Sequence, residues 1–250
     1  TTETPGQTTS LPESTWNHHH LLDLDDCSRT EIETVLTLAD RMREILDRRI
    51  PRVPALRGFT VVNLFYEPST RTRASFELAG KVLGADVISV NSSTSSIQKG
   101  ESLIDTVRTM RAMRTDAIVI RHAMAGAPYL AAEHTDASII NAGDGAHAHP
   151  TQALLDLYTM RRHVGDLSGK KVVMVGDIAH SRVARSDLWG LAAMGAKVVV
   201  CGPPTLLPLG LRAQDRPGHA ESALPPVSIE TNIDVALEGA DVVIALRLQR

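Results

Sequence analysis

Apolar and polar residues recur along this chain with two distinct periods. After Ser28, the positions Ile32, Val35, Leu36, Ala39, Met42, Ile45 and Leu46 repeat at helical spacing. Ser28-Arg29-Thr30-Glu31 precedes them as a capping box. The pattern predicts a long amphipathic helix that ends before Pro51. Short strand-like runs then begin, at 60–66, 86–90, 117–121 and 138–141. Helical patterns separate them at 70–83, 102–113 and 127–134, and another follows at 150–164. A polar turn at 165–170 opens a second series: a strand at 171–177, a helix at 182–194, and strands at 196–201 and 241–246. Strands that alternate with helices imply parallel sheets covered on both faces. The expected fold is α/β, with two doubly wound parallel-sheet domains and the active site in the cleft between them. Residues 1–17, rich in Thr, Ser and Pro, read as a disordered tail. The first domain then spans 18–163 and the second 164–250.

Composition narrows the function more than the fold. A net charge of -3 gives no overall attraction for nucleic acid or an anionic membrane, so an anion site must be local. Aromatic residues make up 3% of the chain, too few for base-stacking platforms. Cys27 and Cys201 form no C-x-x-C pair and read as reduced thiols, which suits the cytoplasm. No apolar run reaches the roughly 18 residues of a membrane span. The N-terminus has no charged-then-apolar signal pattern. His18-His19-His20 are adjacent, and neighbours on a regular element do not converge on one ion, so no metal is expected there.

Ligands of parallel α/β sheets bind beyond the carboxyl ends of the strands. That rule selects a short set of residues. Ser69-Thr70-Arg71-Thr72-Arg73 joins the first strand of the series to its helix. A helix N-terminus, hydroxyls and guanidiniums in five residues read as a phosphate cradle, or else as a polar cap followed by solvated arginines. Ser95 and Lys99 lie in a donor-rich loop, 92–102, which reads as a closing loop or a solvated linker. Arg121 ends an apolar strand and needs either an ion-pair partner or a ligand. In the segment 141–152, Pro150 suits a first helical position, which puts His149 at the N-cap and Gln152 one turn inward. A helix N-terminus disfavours a protonated ring, so His149 should be neutral. His147 and His149 lack the companions of a zinc site. The turn after residue 176 lacks G-x-G-x-x-G, which excludes a dinucleotide site. Arg182 and Arg247 follow strands of the second series and suit a dianionic small molecule. No serine or cysteine is paired with a base, which favours direct transfer between two bound substrates.

Ser69-Thr70-Arg71-Thr72-Arg73, His149-Pro150-Thr151-Gln152 and Lys99-Gly100-Glu101 together resemble the transcarbamoylase family, over about 20–250. Lys99 and Arg247-Leu248-Gln249 resemble its aspartate branch. The Ser-Met-Gly segment of the ornithine branch is absent near there. The resemblance implies transfer of a carbamoyl group from carbamoyl phosphate to the amine of L-aspartate, in de novo pyrimidine biosynthesis, without a cofactor. It implies that Ser69, Thr70, Arg71 and Thr72 hold the phosphate. Arg121, His149 and Thr72 would polarise the carbamoyl oxygen, and Gln152 would orient the amide. Arg182, Arg247 and Gln249 would take the aspartate carboxylates, with Lys99 touching both substrates. Ser95 and Lys99 would come from a neighbouring subunit of a homotrimer. Regulatory chains or a dihydroorotase are further partners that the resemblance leaves open.

The family also carries a His-Pro-x-Pro loop and a C-terminal helix, and neither falls within these 250 residues. A chain ending at Arg250 is therefore expected to be incomplete in its second domain, and inactive or unstable alone. An ornithine or other amine acceptor, and a non-catalytic anion-binding chain of the same fold, are the rival readings.

Overall fold

In a computed structural model the described residues are 16–91, 101–208, 211 and 224–248. Ser28 and Glu31 close the capping box from both sides. The Glu31 N–H donates to Ser28 Oγ at 3.3 Å, and the Ser28 N–H donates to Glu31 Oε2 at 2.9 Å. The helix they start, α1 (Arg29–Leu46), buries Ile32, Leu36 and Ile45. Trp16 and Asn17 fall inside the expected tail, yet Trp16 packs against a buried apolar cluster and its ring lies 4.9 Å from that of His18. An indole offers enough apolar surface to anchor a polar segment. Residues 1–15 of that tail lie outside the described residues.

The first sheet contains β1 (Thr60–Phe65), β2 (Asp86–Asn91), β3 (Ala117–His122) and β4 (Ser138–Asp144), in the order β2-β1-β3-β4, all parallel. Its helices are α2 (Thr70–Leu83), α3 (Leu103–Ala112) and α4 (Ala127–Ala132). The two-residue period of a strand sorts the side chains. Val62, Leu64, Ile118, Ile120 and Ile139 meet Val107 of α3 and Ala131 of α4 on one face. Phe65, Val119 and Ala142 meet Phe76 of α2 on the other. The strand β4 runs three residues past its expected end. Its last stretch is Ala142-Gly143-Asp144, which has no apolar run to read, and it is held by polar contacts: Asn141 Nδ2 donates to Asp144 Oδ1 at 2.9 Å and to the Leu22 carbonyl at 2.9 Å.

After α5 (Pro150–Val164) the second sheet is built from β5 (Lys171–Val175), β6 (Lys197–Cys201), β7 (Ser228–Glu230) and β8 (Val242–Ala245), in the order β7-β6-β5-β8, again all parallel. Among the described residues its helices include α6 (Arg182–Ala193) and α7 (Ile233–Leu237). The elements β7 and α7 have three and five residues, too short to show a period in sequence. One apolar cluster joins the two halves. It contains Ile32 and Leu36 of α1, Leu157 and Met160 of α5, Leu188 and Leu191 of α6, and Val172 and Met174 of β5. Gly190 lets α5 and α6 approach: a Cβ there would lie 2.8 Å from Leu157 Cδ1. Val164, at the expected boundary, packs against this same cluster. No helix among the described residues is long and apolar enough to cross a membrane.

The strand orders fix where a ligand belongs. In each sheet the chain reverses its direction of growth once, between β1 and β3 in the first and between β5 and β8 in the second. Crevices open beyond the carboxyl ends of strands at such reversals.

Candidate active site

A cleft of about 1020 Å³ opens at both reversals, between the carboxyl edges of the two sheets. One wall is the start of α2. Ser69 is its N-cap, with extended backbone, but its hydroxyl makes no cap hydrogen bond. Instead Ser69 Oγ donates to Thr72 Oγ1 at 2.8 Å. The first-turn N–H groups of this 14-residue helix are thus left to an incoming anion. Ser69, Arg71, Thr72 and Ser75 line the cleft. Thr70, expected beside them, is exposed and is not part of the wall. Each helical step rotates a side chain by about 100°, which takes Thr70 off the face that Ser69 and Thr72 share. Only its backbone N–H remains as a donor.

Arg121 at the end of β3 and Arg182 at the start of α6 also line the cleft. Glu67 holds both. Arg182 Nη2 donates to Glu67 Oε2 at 2.9 Å, and Arg121 Nε lies 3.2 Å from the same oxygen. The second contact has an ion-pair distance without hydrogen-bond alignment. Arg121 Nη1 donates to the Ala142 carbonyl at 3.1 Å, and Arg182 Nη1 to the Gly145 carbonyl at 3.1 Å. Both guanidiniums pass over Gly143, whose φ is +113°; a Cβ there would lie 3.1 Å from Arg182 Cζ and 3.2 Å from Arg121 Nη1. Burial, and then the nearby Arg182, lower the affinity of Arg121 for its proton. Glu67 heads the motif in sequence but carries no readable signal, because an acid beside an anion cradle argues against its own role.

His149 is the N-cap of α5 and is buried. Burial, followed by the charges of Arg182 and Arg121, holds its ring down at about 4. The ring is neutral as expected, but burial rather than the helix N-terminus is the main cause. Its backbone N–H donates to Ser186 Oγ at 2.9 Å, and Ser186 Oγ donates to Asp23 Oδ1 at 2.8 Å. Gln152 lines the cleft one turn along α5. Arg247 lines it from beyond β8. His180 is a further wall residue, with Nδ1 2.8 Å from Asp177 Oδ1. His147 sits apart from the cleft lining, with Nδ1 3.1 Å from Asp144 Oδ2. The bond to Asp144 raises its proton affinity. Ser95, Lys99 and Gln249 lie outside the described residues.

Elsewhere, His18, Asp26 and Cys27 bring potential ligating atoms within 4.8 Å of one another. His18 Nε2 lies 3.1 Å from Glu31 Oε1, and burial with acidic neighbours pushes the Cys27 thiol up to about 12. The thiolate that a metal would need is therefore disfavoured.

Among the described residues, the cleft thus offers a helix N-terminus, four arginines from four strand ends, the neutral imidazole of His149, the imidazole of His180 and the amide of Gln152. Residues 19–162 match the family model described as the aspartate/ornithine carbamoyltransferase carbamoyl-P binding domain, and residues 168–250 match that of the Asp/Orn binding domain. The chain belongs to the aspartate/ornithine carbamoyltransferase family. Among its carbamoyltransferase relatives, the aspartate carbamoyltransferase catalytic subunit of Dehalococcoides mccartyi is 53% identical over 250 residues, covering 99% of this chain and 74% of the relative. That of Chloroflexus aggregans is 56% identical over 236 residues, covering 94% and 74%. The fold is similar to that of the Trypanosoma cruzi aspartate transcarbamoylase in complex with carbamoyl aspartate and phosphate (TM-score 0.82, 31% identity, 96% of this chain and 78% of that one). It is also similar to the catalytic subunit of the M. Jannaschii enzyme (TM-score 0.78, 38% identity, 93% and 74%).

Proposed function

We propose that this carbamoyltransferase moves the carbamoyl group of carbamoyl phosphate to the amine of L-aspartate, giving N-carbamoyl-L-aspartate and phosphate. The observation that carries the reading is the convergence of Arg71, Arg121, Arg182 and Arg247 on one cleft that also holds a neutral His149. Two dianionic substrates need that many cations, and amine attack needs no nucleophilic side chain.

In this reading the phosphate sits on the start of α2, held by Ser69, Arg71, Thr72 and the Thr70 N–H. Arg121, His149 and Thr72 donate to the carbamoyl oxygen as charge develops on it in the transition state. A neutral ring suits that task, because it donates without adding repulsion beside two guanidiniums. Gln152 orients the carbamoyl amide. Arg182 and Arg247, with Gln249 and Lys99, take the aspartate carboxylates. The neutral amine attacks the carbamoyl carbon, the C–O bond to phosphate breaks, and the departing phosphate accepts the amine proton.

We further propose that residues 18–163 form the carbamoyl-phosphate domain and 164–250 the aspartate domain. The active form is a cytoplasmic homotrimer whose Ser95 and Lys99 serve a neighbouring subunit, in pyrimidine biosynthesis. Exposed Leu78 on α2 and Ile88 on the edge strand β2 (60% and 43% exposed) support a subunit contact beside that edge of the first sheet.

The test is carbamoyl transfer by the natural full-length protein with L-aspartate and L-ornithine as competing acceptors. Carbamoyl-aspartate alone is the expected product. Carbamoyl-ornithine would overturn the acceptor assignment, and neither product would overturn the activity.

A further inference from the structure

Gln152 does not hang free in the cleft. Its Nε2 donates to Asp156 Oδ1 at 3.0 Å, one turn further along α5. An ionised carboxylate only accepts hydrogen bonds, so the amide must turn its nitrogen to Asp156. That leaves Oε1 as the amide atom available to the cleft wall that Gln152 lines. The charge on Asp156 therefore sets the polarity of Gln152.

A second carboxyl stands behind the first. Asp187 of α6 is 0% exposed, and neither of its oxygens has a hydrogen-bond partner among the described residues. Among the described residues, Asp156 is the charge that raises it. Two carboxylates cannot both stay ionised in such a site. Burial pushes the Asp187 acid far up; it raises Asp156 as well, but there the Gln152 bond opposes it, and Asp187 has no such donor among the described residues. The proton belongs on Asp187, and Asp156 keeps its role as acceptor.

We propose that Asp156 is a positioning residue that holds Gln152 with its carbonyl oxygen toward the cleft, so that the site selects a phosphorylated donor whose acyl group carries N–H over one that carries methyl. Carbamoyl phosphate satisfies Oε1. Acetyl phosphate, of similar shape, leaves it desolvated and unpaired, which is the arrangement that discriminates most strongly between near-isosteres. Asp187, neutral in both roles, keeps this charge arrangement without touching substrate. The inference rests on the activity proposed above.

The experiment uses the full-length enzyme with Asp156→Leu, Asp156→Asn and Asp187→Asn. The readouts are KM and kcat for carbamoyl phosphate, the inhibition constant of acetyl phosphate, and the dissociation constant of inorganic phosphate. In Asp156→Leu the amide is free to turn. KM for carbamoyl phosphate should rise about 10- to 100-fold toward the acetyl phosphate constant, while acetyl phosphate and phosphate binding change less than about threefold. Asp156→Asn keeps an acceptor oxygen and should rescue most of the preference. Asp187→Asn mimics the neutral acid and should leave the preference intact. Asp156→Ala serves if the leucine variant does not fold. Parallel loss of all three ligands, or an unchanged preference in Asp156→Leu and Asp156→Ala, overturns the inference while wild-type transfer stands. Absence of wild-type carbamoyl transfer overturns the underlying activity instead.

Discussion

Glu67→Gln isolates the carboxylate that ties Arg121 to Arg182. The side chain is 26% exposed, and the two arginine side chains are 14% and 16% exposed. Glutamine keeps the shape and removes the charge, which leaves two guanidiniums facing each other. A hydrogen bond to a charged group contributes about 1.5–3 kcal/mol, and breaking a fully buried pair costs about 3–5 kcal/mol. These groups are only partly buried, so solvent screening moves the value toward the lower range, about 2–3 kcal/mol. The assay is urea unfolding of the full-length protein, with and without inorganic phosphate. Phosphate at a hundredfold excess over its dissociation constant stabilises a protein by about 2.7 kcal/mol. In the variant it also brings a negative charge into the cleft that holds Arg121 and Arg182, whereas in the wild type the Glu67 carboxylate repels it. Phosphate should therefore stabilise the variant more than the wild type. A loss under about 0.5 kcal/mol without phosphate, or equal stabilisation of both proteins, would refute the assignment of Glu67 as the shared counter-charge.

Three other outcomes follow from the same geometry. Gly143→Ala places a methyl group against both arginines at φ +113°, so it should cost about 1–3 kcal/mol and weaken phosphate binding measured by calorimetry; unchanged phosphate affinity would count against the packing described. His149 has its proton affinity depressed from 6.5 to about 4, so the folded state binds fewer protons than the unfolded one, and stability present above pH 6.5 is lost as pH falls toward 4, by about 3 kcal/mol. Comparing unfolding of the wild type and His149→Asn at pH 7 and pH 4.5 checks this, since the variant should lose less. Ser186→Ala leaves the buried His149 N–H without its acceptor and should cost about 1–3 kcal/mol in a denaturant titration; a neutral result would show that the bond is replaceable.

Most of this arrangement is legible in the amino-acid sequence. The central strands announce themselves because both faces are buried: Ile118, Val119 and Ile120 must all be apolar, and a run of that kind has one reading. Of the residues that the strand-end rule selects, Arg71, Thr72, Arg121, His149, Gln152, Arg182 and Arg247 line one cleft, whereas His147 does not. Other features left weaker traces. The strand β7 and helix α7 are shorter than one period of their own pattern. Thr70 belongs to the motif by sequence but not to the wall, since adjacency along a helix is not a shared face. Glu67 and Asp187 were illegible for a common reason. The role of an acid depends on which charge faces it, and that partner comes from a distant part of the chain.

The apolar cluster that joins α1, α5 and α6 has a consequence for how the protein is made. During synthesis α1 leaves the ribosome long before α6 exists, and its apolar stripe must wait for roughly a domain's worth of chain before it is covered. The first sheet can form in that interval, because its strands and covering helices are complete by Val164. The exposed flanks of α1 and α5 then act as a template on which the second sheet assembles. A cut near residue 165 would yield one half with a bare apolar flank and another with no surface to fold against, although each sheet has its own parallel order.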